Sequence, residues 1–399
     1  MYDLLNGLSV IEASSFVASP TAGLYCAQMG ADVIRVDQIG GGPDFRRWPV
    51  TAANDSLYWE NLNRAKKSVA LDLARPQGRE LLQALVRATG QLITNFPVKG
   101  FMAHDVLAAG CADLITVRVM GWADGSPALD YTVNNAVGYP MLTGEGPAPV
   151  NHVLPGWDLL SGAYAAFALL AALRRRGETG AGSEVRIPLS DVAIGTVANL
   201  GSLAEVLYEG HDRPRLGNTV YGLFGRDFVT ADGVRTMIVV VTPRQWANLL
   251  AALDLGAAVA ALEAQRGVSF ATDDGLRFTH RDALFPLFEQ AIGARRHADL
   301  AAAFDAGGIV HSAYRAMSEA VRDPALVADN PIFGRAANPS GFDYPAAGAF
   351  ATMPQLERQP PRPAPRNGAH SEEVLTERLK LSSGEIARLI DAGIVGRGQ

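Results

Sequence analysis

The stretch "NHVLPGWDLLSGAYAAFALLAAL", residues 151–173, places one carboxylate, Asp158, at the mouth of an otherwise apolar or small-residue run. Aspartate is a favoured helix cap, so the residue could simply open the helix that follows. A carboxylate is also ionised at neutral pH and can attack an activated acyl group without a general base. The anhydride so formed survives only where water is kept out, and an apolar helix under a Gly- and Pro-flanked loop offers such a setting. A helix N-terminus would steady a nearby anion, so the two roles are compatible. His152 lies six residues before Asp158 and stays with it as a candidate.

Other chemistries find less support. A dinucleotide site would need a Gly-rich first turn; "SSFVASP" (14–20) has no glycine, and Gly40, Gly41 and Gly42 come after the second strand instead. The seven histidines form no HExxH or i,i+4 pair, and no GxSxG elbow is present, so neither a metal nor an acyl-hydrolase triad is expected.

The elements that must position Asp158 follow from the hydrophobic pattern. "LSVIEAS" (8–14) reads as a buried strand, 20–31 as a helix opened by Pro20, and "DVIRVD" (32–37) as a second strand. The alternation resumes with strand 67–73, helix 76–89 and strands 91–96 and 113–122. This predicts an α/β fold with a doubly wound parallel sheet, whose ligands sit at the carboxyl ends of the strands. A strand inside 174–190 and a helix from Asp191 to about Tyr208 complete a first large-domain segment, 1–208. Residues 209–225 read as a linker, 226–325 as a smaller α/β domain, and 326–399 as a return to the large domain ending in a helix pair.

Composition bounds the partners. The chain has 399 residues, 48% of them hydrophobic, and a formal charge of −6, which leaves no bulk basic surface for nucleic acid or anionic lipid. Leu159 to Leu173 is shorter than the ~20 residues of a membrane span, and the N-terminus carries no secretory pattern. Two cysteines, Cys26 and Cys111, without CxxC spacing suit a reducing cytoplasm.

Five blocks in order carry a family resemblance: residues 5–42, "LNRAKKSVALDLARPQGRELL" (62–82), "ITNF" (93–96), 157–191 and "APRNGAHSEEVL" (364–375). Together they resemble a type III, formyl-CoA transferase/CaiB-like, CoA-transferase over nearly the whole chain. The resemblance implies that Asp158, eleven residues before the "LLAAL" block, is the nucleophile, and that Asn95 and Phe96 contact CoA with Lys99 nearby. It also implies an interlocked homodimer, an acyl-CoA substrate, and no cofactor beyond the CoA carried by that substrate. Pro97, Val98 and Lys99 replace the family's usual basic and Gly-Pro residues, and Val17 replaces the glutamine of formyl-CoA transferases. Leu129 stands where the racemase branch keeps a histidine.

Further blocks, "RRWPVT" (46–51), "DYTVN" (130–134), "VNHVLPGWD" (150–158), "DRPRLGN" (212–218) and "YGLFGRDF" (221–228), are similar to a branch that moves CoA between the two carboxyl groups of one unsaturated dicarboxylic acid. Within these blocks Arg226 and His152 are candidates to hold the free carboxylate, and the amides of Gly222 and Gly225 to serve an oxyanion or close over the site. The alternatives are an intermolecular CoA-transferase, moving CoA between a dicarboxylic acyl-CoA and a free carboxylic acid, and an enzyme like the alpha-methylacyl-CoA racemases, against which Leu129 speaks.

Overall fold

In strands β1 (Ser9–Ala13) and β2 (Asp32–Asp37), neighbouring residues are buried on opposite sides: Val10 and Val33 join one apolar cluster, Ile11 and Ile34 another. Burial on both faces is the pattern of a parallel sheet covered by helices on each side. The computed structural model describes residues 1–398. Its main sheet continues with β3 (Lys67–Leu71), β4 (Gln91–Thr94), β5 (Ile115–Met120) and β6 (Ser183–Pro188).

Seven strands are ordered β12-β3-β2-β1-β4-β5-β6, and all neighbours run parallel except β12 (Val395–Gly396), which pairs antiparallel with β3. The doubly wound sheet therefore carries one antiparallel edge that the sequence pattern does not reveal, since two residues are too few to show a period. Strand order reverses between β1 and β4, and ligands bind at such a switch point beyond the carboxyl ends of the strands.

Two compact units make up the chain. The larger holds residues 1–138, 151–211 and 324–399, the smaller 139–150 and 212–323. The expected linker is thus mostly part of the small unit, which also takes 139–150 from the expected large domain. Its physical reason is Arg215, whose guanidinium donates to the carbonyls of Gly146 at 2.7 Å and Ala148 at 2.5 Å. The small unit is built on an antiparallel sheet of β7 (Phe224–Val229), β8 (Arg235–Val240) and β9 (Val310–Ala313). Helices on that sheet bury Phe224, Phe228, Trp246, Phe285 and Phe288 in one cluster. In the large unit a hairpin of β10 (Phe333–Arg335) and β11 (Pro345–Ala347) precedes the expected final helices, Ser371–Leu379 and Ser383–Asp391.

Helix boundaries differ from expectation at three places. The first helix is Ala18–Gln28, so Pro20 lies inside its first turn rather than opening it. The helix expected over 191–208 is two, Leu189–Asn199 and Ser202–Glu209, because Gly201 between them takes φ +84°. The helix bearing Asp158 spans Gly156–Thr179, running past the apolar stretch through the arginines to Gly180 at φ +71°. At that length and composition it could cross a membrane. It is a layer of the large unit, however, with Ala165, Ala168, Leu169 and Ala172 in the cluster that covers β4 and β5.

Gly162 on this helix faces the Ala18–Gln28 helix so closely that a Cβ would come 2.6 Å from the Ala18 carbonyl oxygen and 2.7 Å from Thr21 Cβ. Gly162 lies one turn after Asp158, so pushing the helices apart displaces Asp158 as well. Gly162→Val is expected to lower stability by about 1–3 kcal/mol. A chemical denaturation curve checks the stability, and a loss of kcat larger than the loss of folded protein checks the displacement.

Candidate active site

Asp158 is the third residue of its helix, not the cap, and Pro155 before it supplies no side-chain cap bond. The cap comes from elsewhere in the large unit. Asp130, at the start of helix Asp130–Ala136, accepts through Oδ2 from the backbone N–H of Trp157 at 2.7 Å and of Asp158 at 3.0 Å. Asp130 is 1% exposed, and its Oδ1 is bonded to Nε2 of His152. Asn134, one turn further on, accepts from the Trp157 indole at 3.0 Å. The helix start is thereby fixed by another element, and the Asp158 carboxylate itself takes no hydrogen bond from the described residues.

Burial, then the charge of Asp130, raise the Asp158 pKa from 3.8 to about 6, while Arg47 opposes them. The carboxylate is more basic than an ordinary aspartate and still ionised above pH 6. Both properties suit a nucleophile.

Asp158 lines a cavity of about 540 Å³ with Phe16, Val17, Asn95, Phe96, Lys99 and Leu129. The cavity opens where β1 and β4 end, at the switch point. Asn95 ties the two ends together: its Oδ1 accepts from Ser15 N at 3.3 Å, and its Nδ2 donates to Ser15 O at 3.2 Å. The Phe96-Pro97 segment is held from below by buried Arg118, which donates to the Phe96 carbonyl at 2.6 Å and the Pro97 carbonyl at 3.0 Å. The turn after β1 rests on a buried charged cluster. Arg35 donates to Ser14 O at 3.0 Å, to Asp44 at 2.9 Å and to Glu12 at 3.0 Å, and Asp44 accepts from Phe16 N at 3.3 Å. Phe16 sits at φ +68°, a left-handed conformation that costs energy for a residue with a Cβ and marks functional sites.

Four of the residues singled out in the sequence, Asp158, Asn95, Phe96 and Lys99, therefore share one cavity. His152 belongs with Asp130, so its Nε2 is engaged by protein. Arg226 lies on β7 of the small unit, where it pairs with Glu289 at 2.9 Å and covers the Phe285 ring at 4.8 Å. Gly225 is a paired strand residue opposite Val239, and Gly222 occupies a left-handed turn at φ +78°. Asp130, Arg47 and Tyr58 escaped the sequence reading as site residues. Asp130 and Arg47 lay within quoted blocks, but nothing in their spacing announced a partnership with Asp158.

A sequence profile described as CoA-transferase family III matches residues 5–371. The chain belongs to CoA-transferase family III. This family III enzyme is 44% identical over 403 residues to the 2-methylfumaryl-CoA isomerase of Chloroflexus aurantiacus, covering 99% of this chain and 98% of that one. It is 28% identical to the succinate–glutarate CoA-transferase of Agrobacterium fabrum, over 94% and 95% of the two chains. Among solved structures, a CAIB/BAIF family protein from Brucella suis superposes with a TM-score of 0.76 at 24% identity, covering 94% of this chain and all of that one. At that identity the likeness speaks for the α/β fold alone.

Proposed function

We propose that the protein is an intramolecular CoA-transferase that converts 2-methylfumaryl-CoA (mesaconyl-1-CoA) into 3-methylfumaryl-CoA (mesaconyl-4-CoA). The observation that carries the reading is Asp158 itself, a carboxylate without a hydrogen-bond partner among the described residues, raised in basicity, in the wall of a cavity of about 540 Å³ that Asn95, Phe96 and Lys99 also line. The 44% identity to an isomerase of that name supports the choice of substrate.

In this reading Asp158 attacks the thioester carbonyl at carbon 1, and the C–S bond breaks to give a mixed anhydride and the CoA thiolate. The thiolate attacks the Asp158 carbonyl, forming an aspartyl-CoA thioester and releasing mesaconate as a dianion. Mesaconate then attacks that thioester through its carbon 4 carboxylate, and the returning thiolate opens the second anhydride at the mesaconyl carbon. Asp158 is regenerated, and no proton or electron is gained or lost. Asn95, Phe96 and Lys99 hold the CoA, and an effective concentration far above that of any outside acid keeps the transfer internal. His152 is assigned to the outer environment of the acyl group, through its bond to Asp130.

A homodimer completes the reading. Its support is exposed apolar side chains on two helices of the large unit, Gly156–Thr179 and Ser202–Glu209: Phe167 is 63%, Leu207 77% and Tyr208 88% exposed. A cytoplasmic location accords with two free thiols, Cys26 and Cys111.

The test is to incubate the purified protein with mesaconyl-1-CoA and excess isotopically labelled free mesaconate, then separate the products by chromatography. Mesaconyl-4-CoA without label is the expected result. Labelled product, or no reaction until another acid is added, would mean an intermolecular transferase.

A further inference from the structure

Arg47 and Tyr58 stand beside the nucleophile, and the mechanism above makes no use of them. Arg47 follows the short helical turn Pro43–Arg46, and its guanidinium lies 4.6 Å from the centre of the Tyr58 ring and 5.6 Å from that of Phe16. Aromatic faces attract the cation and leave the N–H donors at its edge free to bond. Among the described residues Arg47 has no ion-pair partner. Tyr58 lies in helix Leu57–Leu62, whose start is fixed by Ser56 Oγ accepting from Trp59 N at 3.1 Å. Its Oη is shielded from solvent and has no hydrogen-bond partner among the described residues.

These donors lack an acceptor in the same neighbourhood as Asp158. Phe16, beneath Arg47, lines the cavity with Asp158. The Asp158 charge is also felt at Tyr58, whose pKa burial first and then Asp158 push up to about 12, against Arg47. A second carboxylate would satisfy both donors, Arg47 through its planar fork and Tyr58 through one O–H bond.

We propose that Arg47 and Tyr58 form the seat for the free carboxylate of a dicarboxylic acyl group whose other carboxyl is on Asp158. The assignment rests on the reading that Asp158 is the acylated residue, and adds to it what selects and retains the acid. When mesaconate is free in the site its two carboxylates lie at opposite ends of a trans double bond. Half a turn of the dianion exchanges them between Asp158 and the seat. One seat then serves both half-reactions, and a monocarboxylic acyl group cannot fill it.

The experiment compares two CoA esters on wild type, Arg47→Gln, Arg47→Lys and Tyr58→Phe: mesaconyl-1-CoA, followed as isomerisation, and crotonyl-CoA, followed as acylation of Asp158 trapped with hydroxylamine as the aspartyl hydroxamate. Arg47→Gln is expected to lower kcat/KM for mesaconyl-1-CoA by about 10²-fold, and Tyr58→Phe by about tenfold. Crotonyl-CoA acylation should stay within about threefold of wild type in both. An equal loss on the two esters would overturn the seat and leave Arg47 acting only through its charge on Asp158. No loss on either would overturn it too. Arg47→Lys keeps charge and stem but not the fork, so it preserves the comparison if Arg47→Gln fails to fold. A wild type that acylates from both esters without isomerising mesaconyl-1-CoA would overturn the isomerase reading, while the ratio between esters still decides the seat.

Discussion

Asp158→Asn and Asp158→Ala will lose turnover by about 10⁴-fold or more, the order expected when a covalent nucleophile is removed, and both will be more stable than wild type at neutral pH. The second half follows from the direction of the pKa shift. Asp158 titrates near 6 in the folded protein against 3.8 when unperturbed. Between those pH values the folded state holds a proton that the unfolded chain has already released, so stability falls as pH rises through the window. Above about pH 6 the whole penalty is present, and removing the carboxyl recovers about 1–3 kcal/mol, allowing for the exposed part of the group. Below about pH 4 both states are protonated and the gain vanishes. Urea denaturation at pH 7.5 and pH 4 checks it: an equal midpoint for wild type and Asp158→Asn at both pH values would contradict the strained carboxylate. Asparagine needs a freshly prepared sample, because slow hydrolysis of its amide would restore the acid.

Asp130→Ala comes second in expected effect, although Asp130 never touches the scissile bond in the mechanism. Its Oδ2 accepts both amides at the start of the Asp158 helix, and its Oδ1 holds His152. Truncation leaves two N–H groups and an imidazole without their acceptor, at a cost of about 1–2 kcal/mol for the cap alone. It also loosens the first turn, and a misplacement of about 1 Å at a reacting atom costs about 10²-fold in rate. Asp130→Asn separates these effects, since its amide oxygen can still accept while the negative charge is gone. That charge is the second cause of the raised Asp158 pKa, so the acid limb of the pH–rate profile should move from near 6 towards lower pH. The 3′-phosphate of CoA also titrates near 6. Its limb belongs to the substrate and stays in place, so a limb that does not move in Asp130→Asn argues against Asp158 as the titrating nucleophile.

The parts of the site that rest on local chain chemistry were legible before the structure. The β1–β2 alternation, helix Pro76–Thr89 with proline at its first position and glycine at its end, and the isolated Asp158 all carry their reasons in adjacent residues. What depends on distant residues was not. Asp158 looked like its own cap because aspartate commonly is one, whereas the cap arrives from Asp130, 28 residues earlier in sequence. His152 was noticed for its nearness to Asp158 along the chain, but its bond is to Asp130. Arg226 drew attention as an arginine in a substrate-like block, and its Glu289 partner sits on a helix far downstream. Tyr58 carried no signal at all, because an unsatisfied hydroxyl is a property of its surroundings rather than of the residue.

The antiparallel edge strand has a bearing on how the molecule comes to exist. Val395 pairs with Leu71, so one border of the main sheet is completed only by residues that leave the ribosome long after β3, with the whole small unit made in between. Until then β3 presents unpaired N–H and C=O groups, an open template for another chain. The interposed small unit has its own core and can condense meanwhile, during the wait imposed by translation at ~5–20 residues per second. The nascent large unit, with the Asp158 helix already made, is therefore the stretch in greatest need of chaperone cover during synthesis.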